Sequence, residues 1–432
     1  MQFDTVIIGG GLAGLICGIR LQKAGHKTAI ISAGQSVMHF SSGTFDLLNR
    51  MPDGTPVENP LKAIDALPET HPYKKIGAAN VMKYAAEVKD IFAGCGVKLN
   101  GQSDKNSYRI TPVGEIKPCW LSFEDISLLA SEDEIVGKKA LIANFLGYLD
   151  FNTKFISSAL EDRGTKCHVV GIKTDAIEKL RRNPTEMRSS NIARAMDTEE
   201  NWKDFVKAVK ERITDEDVIV LPAVFGLKNR TVVDNIKKEL GVKTIFVATM
   251  PPSVPGIRTQ MQLKNAYIEL GGEFILGDTV SSATLSANNS GANEHSAKGE
   301  AETKELKVVS INTVNFEEIA VKANNFVLAS GSFFSNGLIA DPYTIKEPVF
   351  GLDLDYKTER KDWYDVRFFN KQEYFKFGVK TNNNFQTSLG GQNISNLWAA
   401  GSILSGTNAL YEGCGGGTAI ISALYVADQI AK

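Results

Sequence analysis

The chain has 432 residues, 43% hydrophobic and 23% charged, with 38 glycines and 14 prolines. That composition excludes disorder, collagen and coiled coil, and the length suits two or three domains. With 48 Lys and Arg against 50 Asp and Glu, the formal net charge is −2. This argues against nucleic acid or an acidic membrane surface as the main partner.

The N-terminal stretch Met1–Ile8 contains Asp4 and no basic residue, which does not fit a secretory signal. No segment approaches the roughly 18 uninterrupted apolar residues of a spanning helix. The expected location is the cytoplasm, with any membrane association made through a partner. Phe3–Ile8 predicts a strand, Leu12–Ala24 a helix ending before Gly25, and Thr28–Ile31 a second strand. Together they form a βαβ unit. Its turn carries Gly9, Gly11 and Gly14 in the dinucleotide spacing. Gly9 permits the tight turn, Gly11 lets a phosphate reach the backbone, and Gly14 lets helix and strand pack closely. The first helical N–H groups, at Leu12 and Ala13, then face the anion.

The carboxylate that commonly closes the second strand and holds a ribose hydroxyl is replaced by Ser32. An NAD enzyme is less expected without it. FAD remains possible, and FMN has no adenosine ribose to hold, so the nucleotide stays open. Beyond that strand, His39 and Ser42 lie in Met38–Gly43, where the chain should run over the ring system. His39 is either an ordinary loop histidine or a neighbour of flavin or substrate. A histidine similarly placed in succinate dehydrogenase and fumarate reductase flavoproteins carries the flavin covalently.

From about 49 to 135 the pattern is mixed, with Pro52, Pro56, Pro60, Pro68 and Pro72 marking an irregular segment. Tyr108–Gly114 reads as strand and turn. Strand and helix alternate again between about 138 and 250, suggesting a second α/β unit inserted in the first. Pro251, Pro252 and Pro255 then deliver Arg258 to a helix expected over Arg258–Leu270. An arginine there suits bidentate phosphate recognition, or else a surface ion pair. The polar run 282–304 is expected to be a mobile hairpin loop. Asn325–Ser330 is a strand ending at Gly331. Asn396–Ser402, containing Gly401, precedes Gly413–Gly417 and a final helix through Ile430. A glycine loop feeding a helix, here Gly415 and Gly416, can aim N–H groups at a flavin.

Cys17, Cys95, Cys119, Cys167 and Cys414 are scattered without a CxxC pair. A reducing compartment is expected, without a disulfide framework or a locally ligated iron–sulfur cluster. His26, His39, His71, His168 and His295 show neither HxH nor HExxH spacing, so no metal site is expected. The fold class is α/β: a two-dinucleotide-fold-like flavoprotein with a Rossmann-type βαβ N-terminus and an inserted α/β and mixed β region. The expected domains are 1–137 with 251–432, binding flavin, and 138–250 as the insertion.

In this order the features resemble the B subunit family of anaerobic glycerol-3-phosphate dehydrogenase, over essentially the whole chain. The anchors are Phe3–Ile7, His39–Gly43, Asp46–Leu48, Asn191–Arg194, Pro251–Val254 with Gly256–Arg258, Leu328–Phe334 and Gly413–Gly417. The resemblance implies a cytoplasmic flavoprotein, with FMN as the family's cofactor, paired with a catalytic A subunit. It further implies an iron–sulfur C subunit that holds the pair at the inner membrane. The implied reaction turns sn-glycerol 3-phosphate into dihydroxyacetone phosphate and sends electrons to quinone. Such a flavoprotein is either catalytic or a non-catalytic assembly or electron-relay member of the complex, and His39 is the one candidate base.

Overall fold

A computed structural model of the chain describes residues 2–288, 305–316 and 319–432. It divides into two compact units. One comprises Met1–Ser36, Leu47–Ile91 and Leu263–Lys432, and the other Val37–Asp46 and Phe92–Gln262.

The first unit is built on an 8-stranded sheet. Its parallel part contains β1 (Gln2–Ile8), β2 (Thr28–Ser32), β3 (Glu273–Leu276), β4 (Lys322–Leu328) and β5 (Gln392–Ala399), in the order β3-β2-β1-β4-β5. The register Ile8↔Ile31 and Ile8↔Leu328 aligns the carboxyl ends of β1, β2 and β4. Every residue of β2 is buried, the continuous apolar pattern of a strand covered on both faces. Helix α1 (Leu12–Lys23) joins β1 to β2 and buries Leu15, Ile16, Ile19 and Leu21. Helix α2 (Gly415–Ile430) closes the chain and buries Ile420, Ile421, Leu424 and Val426. The antiparallel strands Val280–Asn288 and Glu305–Thr313 form a hairpin beyond β5. Within the expected loop at 282–304, residues 289–304 lie outside the described residues.

The segment expected to be irregular contains the 17-residue helix Ala78–Gly94. Val81, Tyr84, Ala85 and Val88 are buried at helical spacing on it. The nearby prolines do not break structure here. Pro60 and Pro72 each open a short helix, where the missing N–H has no partner to lose.

The second unit carries a 4-stranded parallel sheet in the order 243–247, 218–222, 139–145, 166–172. Helices Thr153–Glu161, Glu199–Lys210 and Thr231–Leu240 alternate with those strands. Phe145, Phe205, Phe225 and Phe246 stack within its core, with successive ring centroids 4.5–5.8 Å apart. The unit is larger than the expected insertion at 138–250. Thr44–Phe45 and Leu99–Gly101 pair with Leu121–Phe123, which ties 37–46 and the stretch from 92 onward to the α/β part.

Candidate cofactor site

The glycine turn after β1 uses each glycine for a different physical reason. Gly9 has φ +118°, and a Cβ there would sit 2.2 Å from the Ala329 carbonyl oxygen at the end of β4. At Gly14 a Cβ would lie 1.9 Å from the Gly9 carbonyl oxygen, so helix and turn could not close. Gly11 is different: its nearest neighbour would be Ser36 Oγ at 4.0 Å. Its backbone is extended (φ −80°, ψ −172°), it caps α1 without a side-chain hydrogen bond, and the first turn holds no acid. The helix therefore begins with open space above Gly11, and among the described residues no side chain claims its first N–H groups, at Leu12 and Ala13. That is the setting in which a helix N-terminus holds an anion.

Ser32 is buried at the end of β2, its Oγ donating to the Gly34 carbonyl at 3.1 Å. A Cβ on Gly10 would meet Ser32 Oγ at 2.6 Å, so the serine packs against the turn. Gly331 (φ +83°) follows β4, and a Cβ on it would approach Ser335 and Ser402. Gly401 (φ +83°) follows β5, and a Cβ on it would lie 2.8 Å from the Ala13 methyl. The Gly401 N–H donates to Ser422 Oγ of α2 at 2.9 Å. Gly9, Gly11, Leu12, Ala13, Gly14, Ser32, Gly331 and Gly401 are thus gathered beyond the carboxyl ends of neighbouring parallel strands in the interior of the sheet. Ligands of open α/β sheets bind in such a crevice. Gly415 and Gly416 form the start of α2, which likewise has no side-chain cap and no acid in its first turn.

Three further expected residues belong to the second unit. His39 lies in the short turn Val37–Phe40, and its carbonyl accepts from Ser253 N at 2.7 Å. Burial pushes its ring below the ordinary histidine range, partly offset by a hydrogen bond with Gln260. Ser42 Oγ lies 3.3 Å from Thr44 Oγ1.

Arg258 departs from expectation. Its helix runs over Val254–Glu269, with Ser253 Oγ accepting the Gly256 N–H at 3.2 Å, so Arg258 lies one turn inside rather than at the helix start. Its guanidinium is 6% exposed and donates to Asp125 Oδ1 at 2.6 Å and to the Gly226 carbonyl at 2.6 Å. An anion at this arginine would have to displace a buried carboxylate.

Sequence reasoning missed His71 and Glu412, which the fold brings together across 341 positions. His71 Nε2 is 3.3 Å from Glu412 Oε2, and both side chains are buried. With Cys414 they form a cluster whose ligand atoms lie within 4.8 Å of one another. The histidine argues against a metal there. Its Nδ1 accepts the Tyr73 N–H at 3.1 Å, which leaves the proton of the neutral ring on Nε2, the atom that would have to ligate. A ligating imidazole instead donates from its other nitrogen. Cys17 and Cys119 are fully buried, and burial is the main cause that pushes their thiols up to about 12.

The chain matches the model of the FAD binding domain family over residues 4–418. It is 37% identical to the B subunit of the anaerobic glycerol-3-phosphate dehydrogenase of Pectobacterium atrosepticum, covering 100% of this chain and 99% of that protein. With the Aliivibrio fischeri protein of the same description the identity is 36%, covering 100% and 95%. Among solved structures, it is similar to a 3-ketosteroid delta1-dehydrogenase from Sterolibacterium denitrificans, with a TM-score of 0.44 and 10% identity over 100% and 99% of the two chains.

Proposed function

The chain belongs to the B subunit family of anaerobic glycerol-3-phosphate dehydrogenase, within the FAD binding domain family, and from that premise we propose that it is the flavoprotein component of a quinone-linked dehydrogenase of this kind. Its substrate is sn-glycerol 3-phosphate and its product dihydroxyacetone phosphate. It works with a catalytic A subunit and with an iron–sulfur C subunit that holds the assembly at the inner membrane. Among the described residues no helix is long and apolar enough to cross a membrane, so the anchor is assigned to a partner.

The observation that carries the reading is the open, uncapped start of α1 at Gly11, flanked by the strand-end glycines. Gly11, Leu12 and Ala13 would hold the phosphate, Gly9 and Gly14 would shape the turn around it with Ser32 packed against that turn, and Gly331, Gly401, Gly415 and Gly416 would line the rest of the cofactor. The family model favours FAD, against the FMN that the resemblance implies. When bound, the flavin supplies the hydride-accepting ring for oxidation of a secondary alcohol. The chain's own part is to bind, to orient and to manage a proton. His39 is assigned the hydroxyl proton, since a ring pushed below its usual range stays neutral and able to accept.

The relay alternative is favoured by the engagement of Arg258 with Asp125, which leaves substrate phosphate to another member of the complex. Acid release of the cofactor followed by mass measurement separates FAD, FMN and none. Reduction of the flavin by sn-glycerol 3-phosphate, with and without the A subunit, separates catalyst from relay.

A further inference from the structure

Glu412 carries a buried carboxylate that the flavin reading leaves unused. It ends the turn Ala409–Glu412, immediately before the glycine loop that opens α2, and is 1% exposed. Its Oε1 accepts the Asn408 N–H at 2.9 Å, and its Oε2 accepts Thr407 Oγ1 at 3.2 Å and faces His71 Nε2. Burial alone would raise this carboxyl, but the His71 contact and the Asn408 N–H outweigh it and hold it below the usual range. A glutamine offers one acceptor oxygen where the carboxylate offers two, so it could serve the Asn408 N–H or the Thr407 and His71 side, but not both.

The loop beyond Glu412 is gripped on two sides. Gly413 is left-handed (φ +60°), and a Cβ there would lie 2.5 Å from the Asn49 side chain. Asn49 N donates to the Glu412 carbonyl at 2.9 Å. On the other side a Cβ on Gly417 would lie 2.4 Å from the Tyr73 hydroxyl, which donates to the Cys414 carbonyl at 3.5 Å. His71 links both grips. It caps the helix Pro72–Ile76 through Nδ1 and presents Nε2 to the carboxylate.

We propose that Glu412, oriented by His71, is a positioning residue for the cofactor loop. The pair sets the direction of the Gly415 and Gly416 N–H groups, and the carboxylate places a negative charge beside the positive end of α2. Through that charge Glu412 acts on how readily a flavin held there takes up negative charge on reduction. This rests on the flavin reading of the glycine loops.

The test uses the full chain loaded with FAD, and separately with FMN, in Glu412→Gln and His71→Asn forms. Asparagine can still cap the Pro72–Ile76 helix but does not reach the carboxylate. Three quantities are read: flavin dissociation constant by fluorescence titration, midpoint potential against redox dyes, and melting temperature without flavin. Glu412→Gln should shift the potential to more positive values, beyond whatever the lost acceptor takes from the melting temperature. His71→Asn should weaken flavin binding about tenfold, the effect of one lost hydrogen bond to a charge. Wild-type affinity and potential in both variants would overturn the proposal. So would affinity falling in step with melting temperature at constant potential, since packing alone would do that. If the unaltered chain takes up neither flavin, the flavin reading itself falls. A chain that takes up flavin but shows no response to Glu412→Gln leaves that reading standing and removes only this one.

Discussion

Two helix starts that look alike in sequence differ in the property that matters for binding an anion. Each follows a strand and a turn with a glycine near the first residue. At α1 the cap position is Gly11, no side chain among the described residues bonds to the first N–H groups, and a Cβ on Gly11 would meet only Ser36 Oγ at 4.0 Å. At the helix Val254–Glu269, Ser253 Oγ already takes the Gly256 N–H, and a Cβ on Gly256 would lie 1.9 Å from the Met38 carbonyl oxygen. The first start is open and unclaimed. The second is filled and capped, and the arginine one turn inside it is spent on Asp125. A helix N-terminus is an anion seat only where nothing internal has satisfied it.

The contrast breaks most easily at Arg258. Removing one partner of a buried ion pair strands the other charge, so Arg258→Ala should destabilise the protein by about 3–5 kcal/mol. Urea unfolding measures this. A variant of unchanged stability with weakened substrate binding would return Arg258 to the anion role.

Next in size is Gly11→Val. The extended backbone at Gly11 accepts a β-branched residue, so folding should survive. The open space fills, and flavin affinity should fall roughly a hundredfold, or about 2.7 kcal/mol. Flavin titration against the circular dichroism melt checks both halves. Undiminished flavin binding in a folded variant would place the phosphate elsewhere.

Ser253→Ala sharpens the other side. Loss of the cap should cost about 1 kcal/mol of stability and leave flavin affinity unchanged. Paired urea and flavin titrations read the two effects separately.

The smallest effect is that of His39. Its folded-state pKa lies below the ordinary value of 6.5 because burial disfavours the charged ring. The unfolded state therefore binds more protons as pH falls. The contribution of His39 to stability is complete above about pH 6.5 and is lost as pH drops through the lower folded value. Urea midpoints between about pH 5 and 8 should show this slope reduced in His39→Gln.

Much of the fold is legible in local sequence. The βαβ start, the strand before Gly331, the final helix and the alternation between 138 and 250 all follow from periodicity and glycine position. The helix Ala78–Gly94 is equally legible at Val81, Tyr84, Ala85 and Val88, but the prolines before it read as breakers when two of them are helix starts. The glycines proposed for the cofactor could be named because backbone conformation and close approach leave a local mark.

What the sequence by itself determined is therefore the set of elements and the glycine turns between them, since both depend on neighbours a few residues apart. Tertiary structure alone decided which polar side chains remain available and which are consumed. Arg258 and Asp125 lie 133 positions apart, and His71 and Glu412 lie 341 apart. Each pair is fixed by burial, which forces a charge to find its partner wherever the chain has brought one within hydrogen-bonding distance.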